Sequence, residues 1–165
     1  MQITDLKVGR IVPIEAKDQY QVGQVLFQPH PKINPDYSER KLTIETVFED
    51  VRNTMFPHLP SRQSSLFVFP IDDVKYKEEW LNILYPHQNA EYVLLTLSLT
   101  GELLWFDSDF YNDCLLFDIS PSKLEEQARL YWKPKEDYSN LPQIEGLFVG
   151  EATIEKIEIK TRYQD

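Results

Sequence analysis

Eight consecutive residues near the middle of the chain, Tyr92-Val93-Leu94-Leu95-Thr96-Leu97-Ser98-Leu99, constrain the fold more than any other feature. The run is far shorter than the ~20 apolar residues a membrane-spanning helix needs. Apart from Thr96 and Ser98 it is continuously apolar, so most of both faces of a strand built from it must be kept from water. It therefore reads as a central strand that other elements must cover on both faces. The chain has the means to cover it. At 165 residues, with 42% hydrophobic and 13% aromatic side chains, it matches one ordinary domain with its own core, and residues 1–165 read as a single domain.

The flanking sequence supplies the remaining elements. Val8–Val12 and Gln21–Phe27 read as short strands, and Gln28–Arg40, with Pro29, Pro31 and Pro35, as a loop. From Leu42 to Met55, the residues Ile44, Val47, Phe48, Val51 and Met55 recur at helical spacing, with Glu45, Glu49, Arg52 and Asn53 on the polar side, until Pro57 and Pro60 end the helix. Leu66–Phe69 is a strand closed by Pro70, and Asp72 caps a helix reaching Leu84 that would bury Val74, Trp80, Leu81 and Leu84. Glu91–Leu99 and Glu102–Phe106 read as a hairpin around Thr100-Gly101, and Leu115–Ile119 as a short extended piece. Ser120-Pro121 opens a helix to about Trp132, and Gly146–Val149 with Ala152–Ile159 form a closing strand or strand pair. This order predicts a compact α+β domain of mostly antiparallel strands in split sheets, flanked by about three helices.

Charge and composition narrow the function classes. With 27 acidic against 17 basic residues the formal charge is −10, which argues against non-specific binding to nucleic acid or to an anionic membrane. The lone Cys114 can form neither an internal disulfide nor a multi-cysteine zinc site. It reads as a packed, inert thiol beside Asp113. Asp5, Lys7 and Arg10 interrupt the first residues, so they do not read as a signal peptide, and a cytoplasmic location is expected. No metal site is expected. His30, His58 and His87 are scattered, and the acidic stretch Asp107–Asp113 lacks the central glycine and closing glutamate of a calcium loop, reading as a solvated turn. There is no G-x-S-x-G, and glycines 9, 23, 101, 146 and 150 never cluster into a phosphate loop.

The unusual stretch follows the first long helix. Pro60-Ser61-Arg62-Gln63-Ser64-Ser65 forms a turn that gathers a guanidinium, three hydroxyls and backbone N–H groups just before a strand. Such a cluster suits an anion, and Arg62 has the fork geometry to hold two phosphate oxygens. The alternative is internal: Arg62 pairs with an acid such as Glu49 while the serines cap the turn.

The same stretch carries a resemblance. Glu45-x-x-Phe48-Glu49-x-x-Arg52, then Phe56-Pro57-x-x-Pro60-Ser61-Arg62-x-x-Ser65-Leu66-Phe67, resembles a bacterial family of uncharacterised proteins whose fold is similar to that of ADP-ribosyltransferases. Further features follow in the same order: an aromatic-bearing helix over Tyr76–Leu84, a strand–turn–strand ending at Asp107, and Tyr131-Trp132 followed by Glu145-Gly146-Leu147-Phe148-Val149-Gly150. The resemblance implies NAD as substrate, bound between two small sheets, with its glycosidic bond broken through an oxocarbenium-like state. Glu145 would stabilise the developing charge or activate the acceptor. Arg62 would hold the pyrophosphate with Ser64 and Ser65 beside it, and Phe67 would stack on nicotinamide. Two features depart from that pattern. No histidine lies on the opening strand near Met1–Asp5, where Arg10 beyond Gly9 is a poor substitute, and Phe67 cannot donate a hydrogen bond.

Two classes follow. One is an ADP-ribosyltransferase-like enzyme acting on a macromolecular acceptor. The other is a non-catalytic acidic interaction protein, of the immunity or inhibitor type, that binds a basic partner. For Glu145 itself the alternative to a catalytic role is an exposed residue of an edge strand.

Overall fold

The long apolar run lies where its sequence places it, inside a strand of 17 residues, in the computed structural model. The structure describes residues 2–3, 7–26, 38–71, 81, 90–135 and 143–162. The described strands are β1 (Gln2–Ile3), β2 (Val8–Pro13), β3 (Val25–Leu26), β4 (Leu66–Pro70), β5 (Glu91–Asp107) and β6 (Ile144–Thr161). The described α-helices are α1 (Glu39–Met55), α2 (Asp109–Leu116) and α3 (Pro121–Tyr131). The architecture is α+β. Backbone pairing orders the strands β1-β5-β2-β4-β6-β3, so those described share one sheet where split sheets are expected. The chain divides into two compact units.

The first unit comprises Met1–Phe27, Phe67–Glu102 and Gly150–Asp165. In it β5 pairs antiparallel with β2, from Val8 opposite Leu97 to Pro13 opposite Tyr92. The other edge of β2 pairs with β4, Gly9 opposite Phe69, and there a side chain on Gly9 would meet the Phe69 ring at 2.8 Å. β3 pairs with β6, Val25 opposite Thr153. Four successive residues, Tyr92 to Leu95, are buried, as a strand covered on both faces requires. Beyond them Thr96 is half-buried and Ser98 exposed while Leu97 and Leu99 stay buried, so the two polar residues fall where one face meets solvent. Phe69, Leu81, Tyr92 and Leu94 form one cluster of this core, with Ile11 and Ile71 against it.

The expected hairpin is instead one continuous strand. Thr100 and Gly101 pair with Ile3 and Gln2 of β1, which keeps the backbone extended where a reversal was expected. A two-residue hairpin loop of type I′ also needs positive φ at both central residues, which β-branched Thr100 resists. β6 is one continuous strand, the first of the two forms the sequence allows for the closing segment. In both strands the boundary between units falls beside a glycine of positive φ, Gly101 (φ 154°) and Gly150 (φ 143°), a backbone state that side chains disfavour.

The second unit comprises Gln28–Leu66 and Leu103–Val149. α1 packs on α2 and α3, and α2 on α3. Ile44, Phe48 and Val51 of α1 are buried, Val47 is half-buried and Met55 is 51% exposed. α1 begins before Leu42 because Ser38 caps it, its Oγ accepting from the Lys41 N–H at 3.2 Å. Glu39 and Arg40 therefore belong to the helix and not to the preceding loop, whose residues 28–37 lie outside the described ones. The helix expected over 72–84 also lies outside them, apart from the buried Leu81.

α2 corrects two expectations at once, the acidic turn and the extended piece after it. Tyr111 and Cys114, three residues apart, share one buried face. The acids that suggest a solvated turn also suit the positive end of a helix: the Asp107 carboxylate accepts from the Asp109 N–H at 3.0 Å. α3 starts as its sequence predicts, with Pro121 at its first position and the Ser120 Oγ accepting from the Lys123 N–H at 3.2 Å. Replacing Ser120 with alanine is expected to cost about 1 kcal/mol, and Ser120→Asp to restore it. Urea unfolding of the two variants measures both, and equal stability of Ser120→Ala and wild type would contradict the capping role. Among the described residues no helix is long and apolar enough to cross a membrane.

Candidate functional site

The helix α1 ends where Phe56 N–H donates to the Arg52 carbonyl, and the prolines then carry the chain into a single 3-10 turn, Arg62–Ser64. Ser61 builds this turn. Its Oγ accepts from the Gln63 N–H at 3.1 Å and donates to Glu49 at 2.8 Å. Its carbonyl accepts from the Ser64 N–H at 3.2 Å and from the Ser65 hydroxyl at 2.6 Å. The serines thus hold the turn together. The turn aims the Arg62 side chain inward.

There Arg62 meets groups from α1, α2, α3 and β6. Its Nε and Nη2 donate to the two oxygens of Glu45, each at 3.3 Å. Nη1 donates to the Tyr131 hydroxyl at 2.7 Å and to the Glu145 carboxylate. Tyr131 in turn donates to Glu145, and the Tyr111 hydroxyl donates to Glu45 at 2.6 Å. The guanidinium lies over the Tyr111 ring, 3.8 Å from its centroid, a cation–π contact. Arg62, Glu45 and Glu145 are each less than a tenth exposed, and Tyr131 is fully buried.

An aromatic shell keeps water from this cluster. Phe48 packs edge-on against Tyr111 and Tyr131, Phe106 stacks on Tyr131, and Trp132 closes on both, anchored by its indole N–H to the Phe48 carbonyl at 2.8 Å. Burial alone would lower the pKa of the Arg62 guanidinium, but the facing carboxylates, Glu145 foremost, hold it well above its ordinary value. Burial raises the Tyr131 phenol well above its usual range; Arg62 opposes this, and the Glu145 charge adds to it. Tyr111 is raised in the same way, with Arg62 opposing and Glu45 reinforcing. One cation, two carboxylates and two neutral phenols therefore share a dry site. A buried guanidinium offered two carboxylates is satisfied by them.

The structure brings together only part of the expected set. Arg62 and Glu145, 83 residues apart, are in direct contact. Glu145 is buried, not exposed on an edge strand. The acids on Arg62 are Glu45 and Glu145, whereas Glu49 pairs with Arg52 at 2.7 Å. Ser64 and Ser65 are turn-formers, the first half-buried and the second buried. Phe67 falls in the first unit, where its carbonyl accepts from the Arg10 guanidinium at 3.1 Å. Burial lowers the pKa of Arg10.

Three members of the cluster are given no role by the sequence reading: Tyr111, and Glu45 and Tyr131, which stand only as letters of the resembling motifs. Glu45 carries a faint signal, since it lies one turn before Phe48 and so borders the apolar stripe. Among the described residues no group of three His, Cys, Asp or Glu side chains is placed to hold a metal ion.

A comparison with curated proteins gives no match. The model of one family, described as a protein of unknown function (DUF2441), matches residues 13–160. That span covers Arg62, Glu145 and every other member of the buried cluster, and the chain belongs to the DUF2441 family.

Proposed function

We propose that this chain is a non-catalytic relative of the ADP-ribosyltransferase fold and works by binding a basic partner. The observation that carries this reading is the commitment of Arg62: its Nε, Nη1 and Nη2 donate to Glu45, Tyr131 and Glu145 behind an aromatic shell. A pyrophosphate would have to displace a carboxylate from the guanidinium and would bring more negative charge beside it, which Coulomb repulsion in a poorly screened site opposes. A net charge of −10 supports the second half of the reading, because it steers cationic partners toward the chain.

A transferase reading draws on one observation of its own, the convergence of Arg62 and Glu145 on one spot. Calorimetry separates the two. Titration of millimolar NAD into wild-type protein is expected to give no binding heat, while a labelled Lys/Arg-rich peptide binds at low salt and weakens steadily as salt rises. Saturable NAD binding that Glu145→Gln abolishes would establish the transferase reading instead. Loss of the basic peptide's binding even at low salt would refute the interaction reading.

A further inference from the structure

Outside the Arg62 cluster, the second unit has a cavity of about 220 Å³ among α1, α2 and α3. Its polar lining residues, Arg40, Thr43 and Asp118, are exposed, whereas Ile44, Cys114 and Leu124 are buried and Ile119 is half-buried. The cavity is therefore polar at its mouth and apolar in its depth. It falls below the ~300–1,000 Å³ of pockets that hold drug-sized ligands, so it suits a smaller molecule.

Opposite charges line this cavity without meeting. Arg40 and Asp118 make no ion pair with each other or with any other described residue. Arg40 donates its Nη2 to the carbonyls of Cys114 and Phe117. Carbonyls do not neutralise a guanidinium, and its Nε and Nη1 donate to none of the described residues. Thr43 donates its hydroxyl proton to the Glu39 carbonyl at 3.0 Å, which leaves its oxygen as an acceptor. A simple cation is drawn to Asp118 but repelled by Arg40, and a simple anion the reverse, so one charge alone gains little here. A molecule with both charges gains from both. Cys114 adds a neutral wall: burial first, then the Asp113 charge, pushes its thiol up to about 11, so it stays protonated and poorly nucleophilic.

We infer that this cavity binds a small zwitterion, a free α-amino acid with an aliphatic side chain. The carboxylate of the ligand meets the two remaining nitrogens of Arg40, and its ammonium lies on Asp118 and the Thr43 oxygen. Its side chain fills the depth of the cavity against Ile44, Ile119 and Leu124. This site is separate from the basic-partner reading and does not depend on it.

Titrations followed by amide chemical shifts test it with three ligands of one shape: L-leucine, isocaproate, which lacks the amino group, and isopentylamine, which lacks the carboxylate. Leucine is expected to saturate the protein with a Kd of about 1 mM or below, and each analogue to bind at least about tenfold more weakly. Asp118→Asn should erase the advantage of leucine over isocaproate, and Arg40→Gln its advantage over isopentylamine. Arg40 also holds the end of α2, so Asp118→Asn decides the matter if Arg40→Gln fails to fold. The Asp118 side chain is exposed and makes no ion pair with a described residue, so thermal unfolding of Asp118→Asn should match wild type. No saturable shift with leucine up to about 10 mM would overturn the site. Equal binding of either analogue, or a leucine affinity untouched by Asp118→Asn, would overturn it as well, and none of these results bears on the basic-partner reading.

Discussion

Replacing Arg62 with alanine is expected to remove about 3–5 kcal/mol of folding stability, the range for breaking one side of a buried charge pair. The loss comes less from the missing attraction than from what stays behind. Without the guanidinium, Glu45 and Glu145 are two carboxylates inside an aromatic shell, each keeping, among the described residues, only a tyrosine hydroxyl as partner. Burying an uncompensated charge costs far more than burying a satisfied one. Arg62→Lys should recover little. A single ammonium cannot span Glu45 on one side and Glu145 with Tyr131 on the other as a planar fork does. A triple variant, Arg62→Met with Glu45→Gln and Glu145→Gln, should recover much of the loss, because it removes the charges together. Urea unfolding followed by tryptophan fluorescence, to which Trp105 and Trp132 of this unit contribute, reads all three. A cost for Arg62→Ala below about 1 kcal/mol, the scale of an exposed ion pair, would show that water reaches the cluster and would reopen the anion-binding reading.

How much of this was legible in the sequence depends on whether a residue's role is set locally. The Tyr92–Leu99 run demanded a covered strand, and Tyr92 to Leu95 are buried accordingly. Ser120-Pro121 started a helix because a cap and a fixed φ act on their own neighbours. The Pro57–Pro60 segment ended α1 for the same reason. Roles assigned by distant parts of the chain were harder to read. Thr100-Gly101 looks like a turn until β1, nearly 100 residues earlier, pairs with it. Asp107 and Asp109 fit a solvated loop and a helix start equally well, and the burial of Tyr111 and Cys114 decides between them. Glu45 is a polar residue on the flank of an amphipathic helix, and only the arrival of Arg62 makes it a buried one. Arg62 and Glu145 stood out, but their motif does not tell whether they face a ligand or each other. The structure has them facing each other.

That arrangement also predicts how the protein fails in alkali. Both phenols of the cluster are held neutral, with pKa values raised above the ordinary value of 10.0 by burial first and by the neighbouring carboxylate charge in addition. In the unfolded chain each titrates near 10.0. Stability is therefore fully present below that pH and lost above it, where the unfolded state gives up protons that the folded state keeps. Between the unfolded and folded pKa values the slope approaches about 1.4 kcal/mol per pH unit for each tyrosine, or about 2.7 kcal/mol for the pair. Tyr111→Phe should lower stability at neutral pH, because Glu45 loses its 2.6 Å hydrogen bond, yet it should roughly halve the cluster's share of the slope above pH 10. A structural role for the ring alone would give neither effect, because phenylalanine keeps the ring. Urea midpoints between about pH 9 and 11, with wild type and Tyr111→Phe compared at each step, measure both. An unchanged slope in the variant would mean that Tyr111 titrates in the folded protein much as it does in the unfolded chain, and that the shell around Arg62 admits solvent.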